Sequence, residues 1–287
     1  MSFFETESFL SNYNIGVLGK GFVGSAVANG FSSNTGFEAK IRIFDKEPSR
    51  STHSLKEVIN NSEFVFISVP TPTDFKTGKI DISIVEDCFK DISLSLTNQK
   101  TIFLLRSTIT PGTTDYIKEK YPNLRIVFNP EFLTQRSANL DFINQSRYIF
   151  GGDPVDTAPV IELYKKRFGE SIRVIDTDYK SAELIKYMCN TFFAAKVGFL
   201  NEIYQICSKL ELDWDSVLEG FISDGRIGHS HVQVPGPDGK FGFGGACFPK
   251  DVNALIHFAD SLGISLNTLK GAWETNLLVR PEKDWEK

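Results

Sequence analysis

The 287-residue sequence is poor in sulfur, with two methionines and four cysteines. The cysteines, Cys88, Cys189, Cys207 and Cys247, include no Cys-x-x-Cys and no paired spacing suited to zinc. Reduced thiols in a reducing compartment are therefore expected, and no metal site. No apolar run approaches the roughly 18 residues a membrane span requires. The opening Met-Ser-Phe-Phe-Glu-Thr-Glu lacks the basic and apolar blocks of a signal peptide, so a cytoplasmic location is expected. An excess of basic residues is also missing. The formal charge is -5 and the pI about 5.5, which gives no support to nucleic-acid binding. Repeats, low-complexity tracts and long charge runs are lacking too.

What is abundant is phenylalanine, at 25 residues, within a chain that is 41% hydrophobic and 23% charged. That is the profile of a globular protein with a sizeable core. Short apolar runs alternate with helical patterns through the first half: Ile15–Leu18, Ile41–Phe44, Phe64–Val69, Thr101–Leu105 and Arg125–Phe128. Tyr148–Phe150 and Ile172–Ile175 are candidate edge strands. Such runs, separated by helices, predict an α/β fold whose parallel sheet is covered on both faces, a doubly wound Rossmann-type domain over residues 1–177. After Asp176 the period changes. Apolar residues recur at three- and four-residue spacing from about Asp178 to Leu210, predicting one long helix or two abutting ones. Further helices are expected at Asp215–Ser223 and Val252–Leu262, so residues 178–287 read as an all-α domain. Cys88, Cys189 and Cys207 fall in apolar helical patterns and read as core. The stretch 225–246, rich in glycine and holding Pro235 and Pro237, reads as a long loop, and loops of that length in compact domains are usually functional.

Gly19-Lys-Gly21-Phe-Val-Gly24 directly follows the first strand and opens a helix. Its glycines allow a tight turn and close approach of backbone to a pyrophosphate, with the helix N-terminus facing the phosphate charge. Asp45 ends the second strand, 21 residues past Gly24, close to the spacing for a carboxylate that accepts from ribose hydroxyls. A carboxylate there would repel a 2′-phosphate, which favours NAD over NADP. Lys46 and Arg50 lie close by and work against that preference.

The other informative stretch is Gly242-Phe-Gly244-Gly-Ala-Cys247-Phe-Pro-Lys250-Asp251. A thiol near a cation loses its proton more readily and becomes a nucleophile. The alternative, a packed core cysteine, sits poorly with a Gly-Gly lead-in, a backbone that usually exists to approach a ligand. Taken with Ser68-Val-Pro70-Thr71-Pro-Thr73, Lys76-Thr-Gly78 with Asp81, Arg106-Ser-Thr108 with Pro111-Gly-Thr113, Asn129-Pro-Glu131-Phe132-Leu133 and Ala182-Glu-Leu-Ile-Lys186-Tyr-Met-Cys-Asn190, this stretch resembles the UDP-glucose/GDP-mannose dehydrogenase family over nearly the whole chain. The resemblance implies an NAD-dependent four-electron oxidation of a nucleotide-sugar C6 alcohol to a uronic acid through a thioester, UDP-glucose to UDP-glucuronate foremost. It implies Cys247 as nucleophile, Lys186 and Asn190 as oxyanion donors, Asp251 and Thr108 as water-positioning groups and Glu131 as base. Lys186 and Asn190 are four apart and share a helix face, where a cation and an amide can meet developing negative charge. Phe22, Val23, Pro70, Thr71 and Thr108 join Gly19, Gly21, Gly24 and Asp45 as expected cofactor contacts. Phe132, Leu133, Arg226, Phe241 and Gly244 join Glu131, Lys186 and Asn190 around the sugar nucleotide. His229-Ser-His231 lacks neighbouring carboxylates and reads as a loop pair.

Two departures from the family stand out. Gln135 occupies a position where members commonly have a second glutamate, and an amide cannot act as a base. Members also generally carry a further Rossmann-like domain beyond the point where this sequence stops, and its contacts to the far end of the ligand are expected to be missing here. Two rival functions remain: a two-electron hydroxyacid-type dehydrogenase, which needs a Lys and an Asn but no cysteine, and a catalytically weak nucleotide-sugar binding protein. The long apolar helix offers more apolar surface than a short helical domain can cover, so a homodimer is expected.

Overall fold

A computed structural model describes residues 13–286. It contains a seven-stranded sheet in the order β2-β1-β3-β4-β5-β6-β7, formed by β1 (Asn14–Leu18), β2 (Lys40–Phe44), β3 (Phe64–Ile67), β4 (Ile102–Leu105), β5 (Arg125–Phe128), β6 (Tyr148–Gly151) and β7 (Val174–Thr177). The first five strands are parallel, as short apolar runs alternating with helices predict, with Ile15 opposite Ile41 on one side and Phe64 on the other. Both strands expected at the edge are present, but only β7 lies at an edge, β6 being inside the sheet between β5 and β7, and the sheet is not wholly parallel. β6 runs against β5, meeting it at the single pair Phe128–Gly151, and β7 pairs in parallel with β6. Strand direction depends on how the intervening segment 129–147 returns to the sheet, which apolar runs do not encode.

Between strands lie α1 (Phe22–Gly30), α2 (Leu55–Asn60), α3 (Ser83–Ser95), α4 (Thr113–Lys120), α5 (Ala138–Ile143) and α6 (Pro154–Phe168). Local chemistry sets their starts. Ser54 and Glu57 form a reciprocal capping box at α2, and Pro154 begins α6, where a missing N–H costs nothing. Strands buried on both faces separate two apolar clusters. One is built from Phe31, Phe66, Phe142 and Tyr164; the other from Val65, Phe89, Phe103 and Ile126. Much of the phenylalanine is spent here: the Phe31 ring meets Phe37, Phe142 and Tyr164 edge-on at centroid separations of 5.5–5.8 Å.

The expected long helix is one continuous element, α7 (Tyr179–Lys209), of 31 residues. Then come α8 (Trp214–Ile222), α9 (Phe248–Ser261) and α10 (Asn267–Val279). α9 starts four residues before the apolar period predicts, because Cys247 serves as its N-cap and Pro249 fits its first turn. The chain divides into two compact units: the chain through Thr71 together with Ile82–Lys186, and Pro72–Asp81 together with Tyr187 onward. The sequence boundary at 177–178 marks the change from β7 to α7, whereas compactness divides the chain inside α7. The reason is local: Tyr179 and Ala182 at the start of α7 are buried in the sheet's second cluster, and Tyr179 donates to the Ile126 carbonyl. No described helix is long and apolar enough to cross a membrane.

Candidate active site

In the first unit, the turn after β1 has the shape a pyrophosphate cradle requires. Gly19 is left-handed, with φ of +88°, and a Cβ there would lie 2.5 Å from the Ser68 carbonyl oxygen. A Cβ on Gly24 would lie 1.9 Å from the Gly19 carbonyl oxygen. Both glycines are thus demanded by the protein's own backbone. Gly21, the N-cap of α1, has nothing within 4 Å of its missing Cβ and no side chain caps the helix, so this is the face left open to a ligand. Phe22 and Val23, in the first turn, pack partly against the core.

Asp45 ends β2, and its carboxylate accepts from the backbone N–H of Lys20 at 2.6 Å and of Glu47 at 2.8 Å. Partial burial works to raise its pKa, but these two N–H groups and the charges of Arg50 and Lys20 hold it below the usual carboxylate value. The group is an anion beside the glycine turn, as a ribose acceptor must be. The loops after β3 and β4 are stitched together: the Ser107 hydroxyl donates to the Val69 carbonyl at 2.7 Å, and Thr71 donates to the Thr108 carbonyl at 2.8 Å. Pro70 is exposed and Thr71 is buried. These features fit an NAD molecule.

The same unit brings Glu131 and Lys186 together. The Lys186 ammonium donates to the Glu131 carboxylate at 2.9 Å and to its carbonyl at 2.5 Å, with both side chains buried. The other carboxylate oxygen accepts from the Leu133 N–H at 2.8 Å. Burial pushes the Glu131 pKa up, yet the Lys186 charge and hydrogen bond, the Leu133 N–H and the Arg106 charge hold it below the ordinary glutamate value. Phe132 lies under the Lys186 ammonium, 5.3 Å from ring centroid to nitrogen. The Leu133 side chain is committed to the core, and Gln135 is exposed.

The turn carrying Glu131 is held by Asn129 and Arg106, which the motifs include but assign no role, and by Tyr164, which no motif includes. Asn129 accepts from the buried Arg106 guanidinium and from the Tyr164 hydroxyl, and donates to the Ile149 carbonyl at 2.9 Å. The available signal for this network was an arginine directly following the apolar run Ile102–Leu105, since a cation drawn into the core there needs acceptors.

The second unit holds the other group. Asp251, 1% exposed, accepts from Asn190 Nδ2 at 2.6 Å and from Lys250 Nζ at 2.6 Å. The Lys250 ammonium, which the sequence puts three residues from the thiol, pairs with the Asp251 carboxylate. Cys247 is half-buried at the start of α9, one helical turn before Asp251, whose N–H donates to the Cys247 carbonyl at 2.9 Å. Arg226 is exposed and paired with Asp224. Phe241 packs beside Tyr204, and His231 stacks on Phe193 with ring centroids 4.2 Å apart. Of the cysteines read as core, Cys207 is buried and Cys189 only partly so. For Cys88, burial pushes the thiol up to about 12.

Residues 44–168 match the NAD-binding domain of the UDP-glucose/GDP-mannose dehydrogenase family, and residues 180–277 match that family's central domain. A UDP-glucose 6-dehydrogenase of Bacillus subtilis (strain 168) is 35% identical over 233 residues, covering 78% of this chain and 48% of that protein. The chain thus spans about half the length of the curated relatives it matches. The solved UDP-glucose dehydrogenase from the archaeon Pyrobaculum islandicum superposes with a TM-score of 0.81 at 26% identity, covering 96% of this chain and 70% of that one. A 3-hydroxyisobutyrate dehydrogenase from Mycobacterium tuberculosis shares the fold, at 17% identity, a TM-score of 0.74 and 95% coverage of both chains.

Proposed function

The chain belongs to the UDP-glucose/GDP-mannose dehydrogenase family, and we propose that it takes part in oxidising the C6 alcohol of a nucleotide sugar, UDP-glucose foremost, to the uronic acid. Bound NAD would supply the oxidising power, accepting hydride from C6 in two successive rounds. The observation that carries the four-electron reading over a two-electron one is Cys247, a thiol at the head of α9 with the Asn190–Asp251–Lys250 cluster one turn on. The thiolate adds to the C6 aldehyde and forms a C–S bond, giving a tetrahedral thiohemiacetal whose retained C6 hydrogen can leave as hydride, and a thioester results. Water then cleaves the C–S bond, returning the thiol and releasing the acid.

Lys186 and Asn190 sit one turn apart on α7, and in this reading each donates to the C6 oxygen as negative charge gathers there. Glu131 is ionised through the neutral range, so it can take a proton from the hydrolytic water. The Lys186 ion pair makes it a weak base, however, and its firmer task is to orient that ammonium. Asp251, with Thr108, would orient the water. A homodimer belongs to the proposal: Met188, Phe192, Phe199 and Ile206 lie along α7, and Leu210 just past its end, at 50–67% exposure. NADH formation with UDP-glucose, measured against acid released, tests the reading. Two NADH per acid is expected; one NADH and a carbonyl product would establish the two-electron alternative.

A further inference from the structure

We infer that Asn276, in the last turn of α10, and Arg280, the residue that follows that helix, are positioning residues for Cys247, and that Gly242, whose φ of +66° also favours glycine, and Gly244 leave space for these two side chains rather than for a ligand. The three residues Phe241 to Phe243, which lead through Gly244-Gly245-Ala246 into Cys247, are gripped one after another. The Arg280 guanidinium donates to the Phe241 carbonyl at 3.2 Å. Gly242 N–H donates to the side-chain oxygen of Asn201, a buried residue of α7, at 3.0 Å. Asn276 pairs with both backbone groups of Phe243: its Oδ1 accepts the N–H at 2.7 Å and its Nδ2 donates to the carbonyl at 2.9 Å. Asn276 is 0% exposed, so this two-point amide contact is shielded from competing water.

The missing side chains explain the fit. A Cβ on Gly242 would lie 2.3 Å from Asn276 Oδ1. A Cβ on Gly244 would lie 2.4 Å from Arg280 Nη2 and 2.5 Å from both Nε and Cζ, within the guanidinium plane's own space. Gly244 does not have a left-handed φ, so nothing but that guanidinium demands glycine there. Arg280 cannot swing away. It is 2% exposed, and its fork is fixed by Asp284 at 2.8 and 2.9 Å and by Asp238, from the same loop, at 2.6 Å. The thiol is therefore set at the head of α9 by a rigid lead-in clamped from a neighbouring helix. The turnover arm of the test rests on the function proposed above; the thiol and stability arms do not.

The test uses the full 287-residue chain. Alkylation by iodoacetamide, followed peptide by peptide, compares Cys247 with Cys207, which is buried on α7 and reports general opening. In Asn276→Ala and in the milder Arg280→Lys, Cys247 alkylation should rise at least fivefold relative to Cys207. NADH formation with UDP-glucose should fall tenfold or more while NAD affinity is kept. Parallel rises at both cysteines, or no change at Cys247, would overturn the inference by reducing these residues to general scaffolding. Gly244→Ala supplies the second measurement. It should lower the unfolding midpoint in the wild-type background and have little effect alongside Arg280→Ala; an equal loss in both backgrounds would refute the fit of glycine to arginine. If the wild-type chain forms no NADH with any UDP-sugar, the functional proposal fails, and the thiol and stability results still decide this one.

Discussion

Glu183, fully buried on α7, caps the start of α4 through Thr114. Its carboxylate accepts the Thr114 N–H at 2.8 Å and hydroxyl at 2.6 Å, and the Gly112 N–H at 2.6 Å. Burial dominates and raises the pKa to about 7, against the pull of those three donors. The native state thus holds a proton that the unfolded chain releases near pH 4.5. Stability associated with this group is fully present below that value and is lost as pH rises through about 7, up to roughly 3 kcal/mol in all. Urea unfolding of wild type and Glu183→Gln at pH 5, 6, 7 and 8 should show the wild type declining more steeply than the variant across this window. Identical slopes would assign the pH dependence to other groups.

The Glu131–Lys186 pair has the opposite sign. The native Glu131 pKa lies below its unfolded value, so its contribution is present above about pH 4.5 and is lost as pH falls through the native value. Lys186→Met leaves a buried carboxylate without its cation and should destabilise by about 3 kcal/mol at pH 7. Glu131→Gln in the same chain should restore much of that loss. A double-mutant cycle by denaturant unfolding checks both, and additive effects would contradict a direct pair.

Cofactor preference should reside in Asp45. Loss of a charged hydrogen bond, with added repulsion of a 2′-phosphate, is worth about 1.5–3 kcal/mol, or roughly 10- to 150-fold in favour of NAD. Calorimetric titration should find that preference in the wild type and most of it gone in Asp45→Ala. Equal NAD and NADP affinity in the wild type would rule the assignment out.

Thiol chemistry should separate cleanly. Cys247→Ser is expected to abolish acid formation while leaving NAD affinity intact. Cys88, with its thiol pushed up to about 12, should resist alkylation in the native chain at pH 8, and Cys88→Ser should keep activity. Acid formation by Cys247→Ser at the wild-type rate would eliminate the thioester route.

Self-association should run through the exposed stripe of α7. Phe192, at 64% exposure, lies one turn from Met188 at 67%. Phe192→Glu is expected to shift the chain toward monomer in sedimentation at micromolar concentration, with helix content unchanged. A wild-type chain that is already monomeric would dispose of the dimer.

The sequence by itself determined the elements and the chemistry carried along the backbone. Continuous apolar runs mark β3 and β4, because a strand buried on both faces must be apolar throughout, while β2, at the sheet edge, keeps Lys40 and Arg42 among its apolar residues. The three- and four-residue period marks α7, because a helix must keep a stripe facing its neighbours. Gly19, Gly24 and Asp45 are legible because turn, helix and strand end lie within one short βαβ unit. Motifs also put Glu131, Lys186, Asn190, Cys247 and Asp251 forward, but as residue types without partners. Only the tertiary structure decided those partners, since they come from distant parts of the chain. Lys186 lies 55 residues from Glu131, and Asn190 lies 61 from Asp251. Lys250 illustrates the limit: its pairing with Asp251 is a matter of side-chain geometry that adjacency in sequence does not give. Gly242 and Gly244 show it again, because the side chains that fill their missing Cβ positions come from the last turn of α10 and the residue after it, more than thirty residues on. The direction of β6 was equally out of reach, as an apolar run is the same read either way and only the path of 129–147 fixes its sense.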